Sequence, residues 1–469
     1  MHLYAILAYL VILVALGLYQ SRHLKTGDDF LVAGRTLPVH VLVFTLLATW
    51  IGSGSLFGGA GLGYRAGFPA LWQSAGAWTG IALVYFLAHR VRRIAKYTMP
   101  DILELRYGAA ARILGTLVVV IAYTTIAAYQ FRGGGRLLNL VAGIDIGQGA
   151  LITMVFCVIY TAIAGMLSVA YLDIGNGVAM LVGVGLAVVY LIIHAGGLGP
   201  AFGGLRPDQV AVFGTLDPWR DAGALFLPTM LLLMGEANMY QKFFSAKDER
   251  AARLSVVGWI IGTILVETLV VAVGVFGSTA IPGLSTTDSE AIVIRVAGST
   301  LPIVLGTLLI CGAAAIIVST ANSFLLTPAS ALMRDVYQKS INPRATDRQI
   351  LLYTRLLVVA LGLLGFVALR FFTTILAMAL WAYTMYGASI TPALLAVFLW
   401  PRVTRLGGVA SIAAGMVTTL GWEIYARNAG GYPYELATVY PALALSLIAL
   451  VGVSLATPKP TARELAAVS

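Results

Sequence analysis

Apolar stretches long enough to cross a bilayer, which takes roughly 20 residues each, recur from one end of this chain to the other with short polar loops between them. Their limits predict about thirteen spans, at 3–20, 39–60, 69–89, 112–131, 148–165, 168–194, 222–242, 254–280, 302–330, 350–369, 374–399, 406–426 and 440–456. The expected fold is an all-α polytopic membrane protein. Two of the stretches are interrupted. The second reads LLATWIGSGSLFGGAGLGY, with Gly52, Gly54, Gly58, Gly59, Gly61 and Gly63 crowding its outer half. Glycine costs about 1 kcal/mol against alanine in a helix interior, so this density predicts a broken helix. Backbone exposed by such a break is tolerated only where it lines a cavity or holds an ion; the alternative is a close-packed glycine face. The seventh stretch, ALFLPTMLLLMGEANMYQKFFSAKDE, carries Pro228 and Gly235, with Glu236 and Asn238 near its inner end. Interruptions five spans apart are the sequence pattern of an inverted-repeat transporter, although no residue-level repeat joins the halves.

Polar residues inside apolar spans narrow the chemistry. Ala313–Tyr337 begins as apolar helix and contains Ser319, Thr320, Asn322 and Ser323. Positions i, i+1 and i+4 lie close together on a helix, so Ser319, Thr320 and Ser323 offer three hydroxyl oxygens to one spot. Hydroxyls and backbone carbonyls suit a hard cation such as Na+; alternatively these small residues let helices approach and bond across the bundle. Asp173 opens the sixth span near its cytoplasmic end. It is expected either to bind a cation or to sit as a helix-start carboxylate in the interface. Glu267, midway along the eighth span, is functional or else protonated and hydrogen-bonded. Gln73 on the third span and Gln130 on the fourth are candidate cavity residues. Arg132 is expected to meet a substrate carboxylate or to snorkel outward. Tyr383, Tyr386 and Ser389 lie on the eleventh span, where Pro392 marks a kink.

The composition agrees with the pattern: 469 residues, 59% hydrophobic and 11% charged. The net charge of +10 does not point to nucleic acid, because the basic residues sit in short loops. Arg22, Lys25, Arg35, the Arg90–Lys96 cluster, Lys242–Arg253, Arg334–Arg355 and Arg402/Arg405 fall on one side. By the positive-inside rule this places the N-terminus outside and the C-terminus in the cytoplasm. Cys157 and Cys311 lie inside spans and read as packing residues. Leu3–Leu18 lacks a basic start and a clear cleavage site, so a retained helix is expected rather than a signal peptide. Walker A and HExxH motifs are absent, as is any nucleophile–base pair, so an enzyme is not expected. A sensor would need a signalling domain, which the short stretch beyond the last span does not form.

Four segments in this order and spacing resemble the sodium/solute symporter family: FLVAGR at 30–35, ATWIGSGSLFGGAG at 48–61, MYQKFFSAKDE at 239–249 and IVSTANSFLLTPASALMRDVY at 317–337. Better-known members carry galactose, proline, sialic acid or pantothenate. The resemblance implies a LeuT-type 5+5 inverted-repeat core at 25–400, built from spans two to six and seven to eleven. An extra helix at 1–24 precedes it, and two peripheral helices with a cytoplasmic tail occupy 401–469. It implies one Na+ held by the carbonyls of Ala48, Ile51 and Ile316 and the hydroxyls of Ser319 and Thr320. A second cation site would use Asp173, Ser319, Thr320, Asn322 and Ser323. Asn322 departs from the serine common in members with that site. Trp50 stands where the proline carriers have aspartate, and Leu231, Leu232 and Leu233 replace the aromatics that often face substrate.

The function these residues predict is Na+-coupled import of a small organic solute across the cell membrane by alternating access, with H+ coupling through Asp173 or Glu236 as the alternative. A nutrient sensor or channel is the reading from another class. Inverted-repeat transporters bind solute between the interrupted helices. Here that cavity is expected to be lined by Thr49, Trp50, Ser53, Gln73, Gln130, Thr229, Met234 and Tyr386. Such a lining, with Arg132 or broken-helix amides for a carboxylate, suits an amino acid or monocarboxylate better than a sugar. The expected partners are the solute, Na+ and the lipid bilayer, with neither nucleic acid nor an obligatory protein partner.

Overall fold

The computed structural model describes residues 2–21, 33–94 and 98–461, which are helical apart from turns and an isolated bridge between Leu37 and Ala246. Arg22, Lys25 and Lys96, and the first half of the 30–35 segment, lie outside the described residues. Helix α1 (His2–Ser21) is followed by α2 (Val39–Trp50) and α3 (Gly54–Ala66), a pair bent by 56° at the break between them. Then come α4 (Leu71–Val84), α5 (Met99–Tyr107), α6 (Ala109–Ala142) and α7 (Ile146–His194). A second pair, α8 (Gly223–Gly235) and α9 (Ala237–Ser245), precedes α10 (Glu249–Ala280), the short α11 (Ile292–Ser299) and α12 (Ile303–Ala331). The chain continues through α13 (Asp347–Ala368), α14 (Ile375–Leu399), α15 (Arg405–Ala429) and α16 (Val439–Ala456).

Among the described residues, 10 helices are long and apolar enough to cross a membrane, or 11 with α2–α3 as one span. This is fewer than the thirteen expected. The first expected span has a described apolar part of only His2–Ala15, and the third is α4, 14 residues long. The fifth and sixth expected spans are one helical run, α7, with candidate crossings at Ile146–Ile163 and Asp173–His194.

The glycines of the second stretch act as anticipated. The helix stops at Trp50, Ile51 is extended (φ −72°, ψ 106°), and helical structure resumes with wide π-type turns over Gly54–Gly59. Gly52 is required by proximity: a Cβ there would lie 2.8 Å from Gln130 Nε2 and 2.9 Å from Thr320 Cγ2. α6 and α12 therefore press directly on the break. The second break comes at Glu236, one residue past Gly235 and well after Pro228, which α8 accommodates.

Helix α12 runs through the centre against α6 and α7, buried from Leu309 to Ala331 save at Cys311. Two networks tie the bundle's two ends. At one, Thr98 caps α5 and donates to Asp335 just beyond α12 (3.0 Å), while Lys339 pairs with Asp101 and Glu104. At the other, Arg136 of α6 pairs with buried Glu290 (3.2 Å), which accepts the backbone N–H groups of Ile375 and Leu376 at the start of α14. α15 and α16 pack on each other, joined by Ser411 and Ser446 (2.9 Å).

A close helix approach occurs at Gly274 of α10, where a Cβ would lie 2.1 Å from the Ala60 carbonyl oxygen. Overpacking costs about 1–3 kcal/mol, so Gly274→Val should lower the thermal midpoint of the purified protein by several degrees. Gly421→Val, at a position with open space around it, should not. Equal midpoints for the two variants would contradict the packing of α3 on α10.

Candidate functional site

Each break frees backbone groups that a continuous helix would have paired, and the protein treats the two breaks differently. At the second, every freed group for which the structure gives a partner is met by a protein side chain. The Leu231 carbonyl accepts from Thr391 (2.6 Å), Met234 from Tyr240 (3.1 Å) and Gly235 from Tyr386 (2.5 Å). On the other side of the break, the Glu236 carboxylate caps α9, accepting from the N–H groups of Asn238 (3.2 Å) and Met239 (2.6 Å) and from Tyr123 (2.7 Å). Tyr123 in turn accepts the Ala237 N–H at 2.6 Å. This carboxylate is fully engaged in holding the helix start, where the dipole also favours an anion.

The first break is short of donors. The carbonyl oxygens of Ala48 and Ile51 both lie 3.1 Å from the Thr320 hydroxyl. A hydroxyl has one proton, so it serves one of them at a time. Three hard oxygens thus converge with one hydrogen among them. Nearby, Gln130 Oε1 accepts the Ser53 N–H (2.8 Å), while Gln130 Nε2, Ser53 Oγ and Gln73 Oε1 are buried without a hydrogen-bond partner. Native proteins pair the large majority of such atoms. These atoms are grouped at one helix break.

Ser319 turns from Thr320 toward Asp173, to which it donates; Thr45 donates to the other carboxylate oxygen at 2.6 Å. Asp173 is fully buried, at the first residue of the candidate crossing Asp173–His194. The remaining polar groups of α12 have separate partners. Asn322 accepts from Thr161, and Ser323 lies 3.0 Å from Thr49 Oγ1. Asp173, Asn322 and Ser323 thus have different hydrogen-bond partners. The Ile316 carbonyl belongs to the turn that carries Thr320.

Of the expected solute-lining residues, Thr49 and Trp50 border an enclosed space of about 10 Å³ between the two broken helices. That volume holds at most a water. Ser53, Gln73 and Gln130 stand at the first break, as described. Tyr386 and Met234 contribute to the second break instead, through a hydroxyl and a carbonyl. Thr229 bonds back to Leu225 on its own helix (2.9 Å). Arg132 donates to the Leu369 carbonyl (2.5 Å), away from the Ser53 and Gln130 group.

The sodium:solute symporter profile matches residues 30–415. The chain belongs to the sodium:solute symporter family. It is 27% identical to the osmoregulated proline transporter OpuE of Bacillus subtilis, over 96% of this chain and 94% of that one. It is 29% identical to the sodium/pantothenate symporter of Escherichia coli, over 98% of both. Its fold matches that of a Na+-coupled sialic acid symporter in a substrate-bound outward-open state, with a TM-score of 0.79, 16% identity and 98% of both chains covered. The symporter has the LeuT-type fold and couples Na+ to the movement of a small solute.

Charge pattern alone places Lys242 in an inner loop, and the structure corrects this. In the symporter it is fully buried on α9 and donates to Thr49. A chain of polar contacts thus runs from Lys242 through Thr49 to Ser323. The positive-inside rule counts charges and is blind to depth, so the only signal was position: a lysine between Tyr240 and Phe243 in a helix buried along its whole length. Glu236 lines the same small space as Lys242, and Asp173 accepts from Thr45, one turn along α2 from Thr49.

Removing one member of a buried charged group costs about 3–5 kcal/mol because its partner is left uncompensated. Lys242→Met should therefore destabilise the symporter strongly. Adding Asp173→Asn to it should recover at least about 1 kcal/mol rather than destabilise further. Denaturant unfolding of the two single mutants and the double mutant checks this, and strictly additive losses would contradict the coupling.

Proposed function

We propose that the symporter holds one Na+ at the first helix break and binds its solute beside it, importing both. The ion's ligands are the carbonyl oxygens of Ala48, Ile51 and Ile316 and the hydroxyls of Thr320 and Ser319. Supporting this, two carbonyls compete there for one hydroxyl proton; a cation satisfies all three oxygens at once. Ser319 reaches the ion by rotating from Asp173, whose carboxylate then stays close enough to offset the ion's charge. A second Na+ on Asp173, Asn322 and Ser323 would require each to leave its present partner, so coupling by one ion is the simpler arrangement.

The solute site is the side of the same break bordered by Trp50, Ser53, Gln73 and Gln130. A carboxylate there is met by Gln130 Nε2 and Ser53 Oγ, two of the buried unpartnered groups able to donate; Arg132 holds the Leu369 carbonyl through Nη2, its Nη1 being unpartnered. This favours an amino acid or monocarboxylate over a sugar. Na+ ligation fixes the angle between α2 and α3 and, with it, the groups that meet the solute, so each ligand raises affinity for the other. With the N-terminus outside, the membrane potential drives the ion inward with roughly 2.3 kcal/mol per charge per 100 mV.

Loss of two oxygen ligands should cost more than about 1.4 kcal/mol, a factor of ten. The double variant Ser319→Ala, Thr320→Ala should thus raise the Na+ concentration for half-maximal uptake in proteoliposomes at least tenfold. Unchanged Na+ dependence would refute the ion site. Uptake driven by a pH gradient without Na+ would replace it with the H+-coupled alternative.

A further inference from the structure

Glu267 of α10 is 3% exposed and reaches the residues on either side of the first break. Its Oε1 accepts from Trp50 Nε1 (2.9 Å) and, at 3.4 Å, from Ser55 Oγ. Its Oε2 has no hydrogen-bond partner, although Ser74 and Trp78 of α4 stand close. No lysine or arginine among the described residues forms an ion pair with it. A buried carboxylate surrounded only by neutral donors is solvated but not neutralised, and its desolvation is unfavourable unless a positive charge arrives.

The unpartnered atoms at the break have a polarity. Glu267 Oε2 and Gln73 Oε1, from α10 and α4, are acceptors, with the donor Trp78 Nε1 of α4 also unpartnered beside Glu267; Gln130 Nε2, from α6, is a donor, with Ser53 Oγ on the same side. The indole of Trp50 lies at the acceptor end, 5.7 Å from the Tyr383 ring, and aromatic faces favour a cation. We infer that Glu267 receives a cationic nitrogen of the solute, so that the transported class is a small zwitterion: its nitrogen at Glu267 and Gln73, its carboxylate at Gln130 and Ser53. The inference rests on the first break being the solute site. It adds to that reading the requirement for a positive charge, which a monocarboxylate or a sugar lacks.

The test compares matched pairs that differ in the nitrogen alone: L-proline with cyclopentanecarboxylate, and L-alanine with propionate. D-galactose and pantothenate serve as nitrogen-cation-free controls. Thermal stabilisation of the purified symporter is measured in Na+ and in K+. A nitrogen-bearing member should stabilise it in Na+, and its partner should need at least tenfold higher concentration. Glu267→Gln should weaken the nitrogen-bearing member at least tenfold, with Glu267→Asp intermediate, while stabilisation by Na+ alone stays at its wild-type midpoint. The inference is overturned if the nitrogen-free member of a pair, galactose or pantothenate binds as tightly. Failure of every nitrogen-bearing probe to bind, or Glu267→Gln binding with wild-type affinity, also overturns it. So does loss in Glu267→Gln of a proton moved with each solute, affinity being retained, which would make the residue a proton carrier. The wild-type pairs alone decide the matter if the variants do not fold. Absence of any Na+-specific stabilisation in the wild type would instead count against the ion site.

Discussion

A helix interrupted inside a bilayer leaves carbonyl and amide groups that lipid cannot pair, each at a cost of several kcal/mol. How those groups are satisfied determines what the rest of the symporter can do. The protein closes the second break with its own side chains: Thr391, Tyr240 and Tyr386 for the carbonyls, Glu236 and Tyr123 for the amides. The first break is left with two carbonyls for one hydroxyl proton. One broken helix is thereby a finished structural joint, and the other is not. On the proposed ion site, Na+ binding would be a structural event, because it would bridge α12 to the carbonyls at the end of α2.

The neighbouring contacts make that angle consequential. α12 brings Thr320 to the break, Ser319 to Asp173 and Ser323 to Thr49, where Lys242 also ends. A shift of α12 against α2 therefore changes hydroxyl partners at three places at once. The same helix leads into Asp335, which is tied to the cap of α5, while Glu290 ties α6 to α14 at the other end of the bundle. Both ends are joined around a centre holding about 10 Å³. Movement of solute requires one set of ties to open while the other holds, which is the geometry of alternating access.

Much of this arrangement is legible in the amino-acid sequence. Glycine density locates the first break to within a residue or two, since backbone entropy and lost helix propensity are local properties. Helical spacing groups the hydroxyls of α12 for the same reason. What periodicity does not carry is which partner each hydroxyl meets, because that depends on how three helices cross. Ser319 and Thr320 are adjacent, yet one faces α7 and the other α2. Asp173 reads equally well as an interfacial residue, and its burial against Ser319 and Thr45 is not visible in the sequence. Lys242 is misplaced when charge is counted by loop, and Arg132, two positions after Gln130, is turned by the helix toward Leu369. The second break lies one residue beyond Gly235, where Glu236 serves as a cap, a role visible only once the half-helix after it is seen.

The account turns on Na+ completing the first break, and amide hydrogen exchange reads that directly. Exchange of residues 48–56 should slow in Na+ relative to K+ at equal ionic strength, with a midpoint matching the Na+ dependence of uptake, while residues 235–239, already paired by side chains, should exchange alike in both. Identical exchange of residues 48–56 in the two salts, or a Na+ effect confined to the second break, would contradict it.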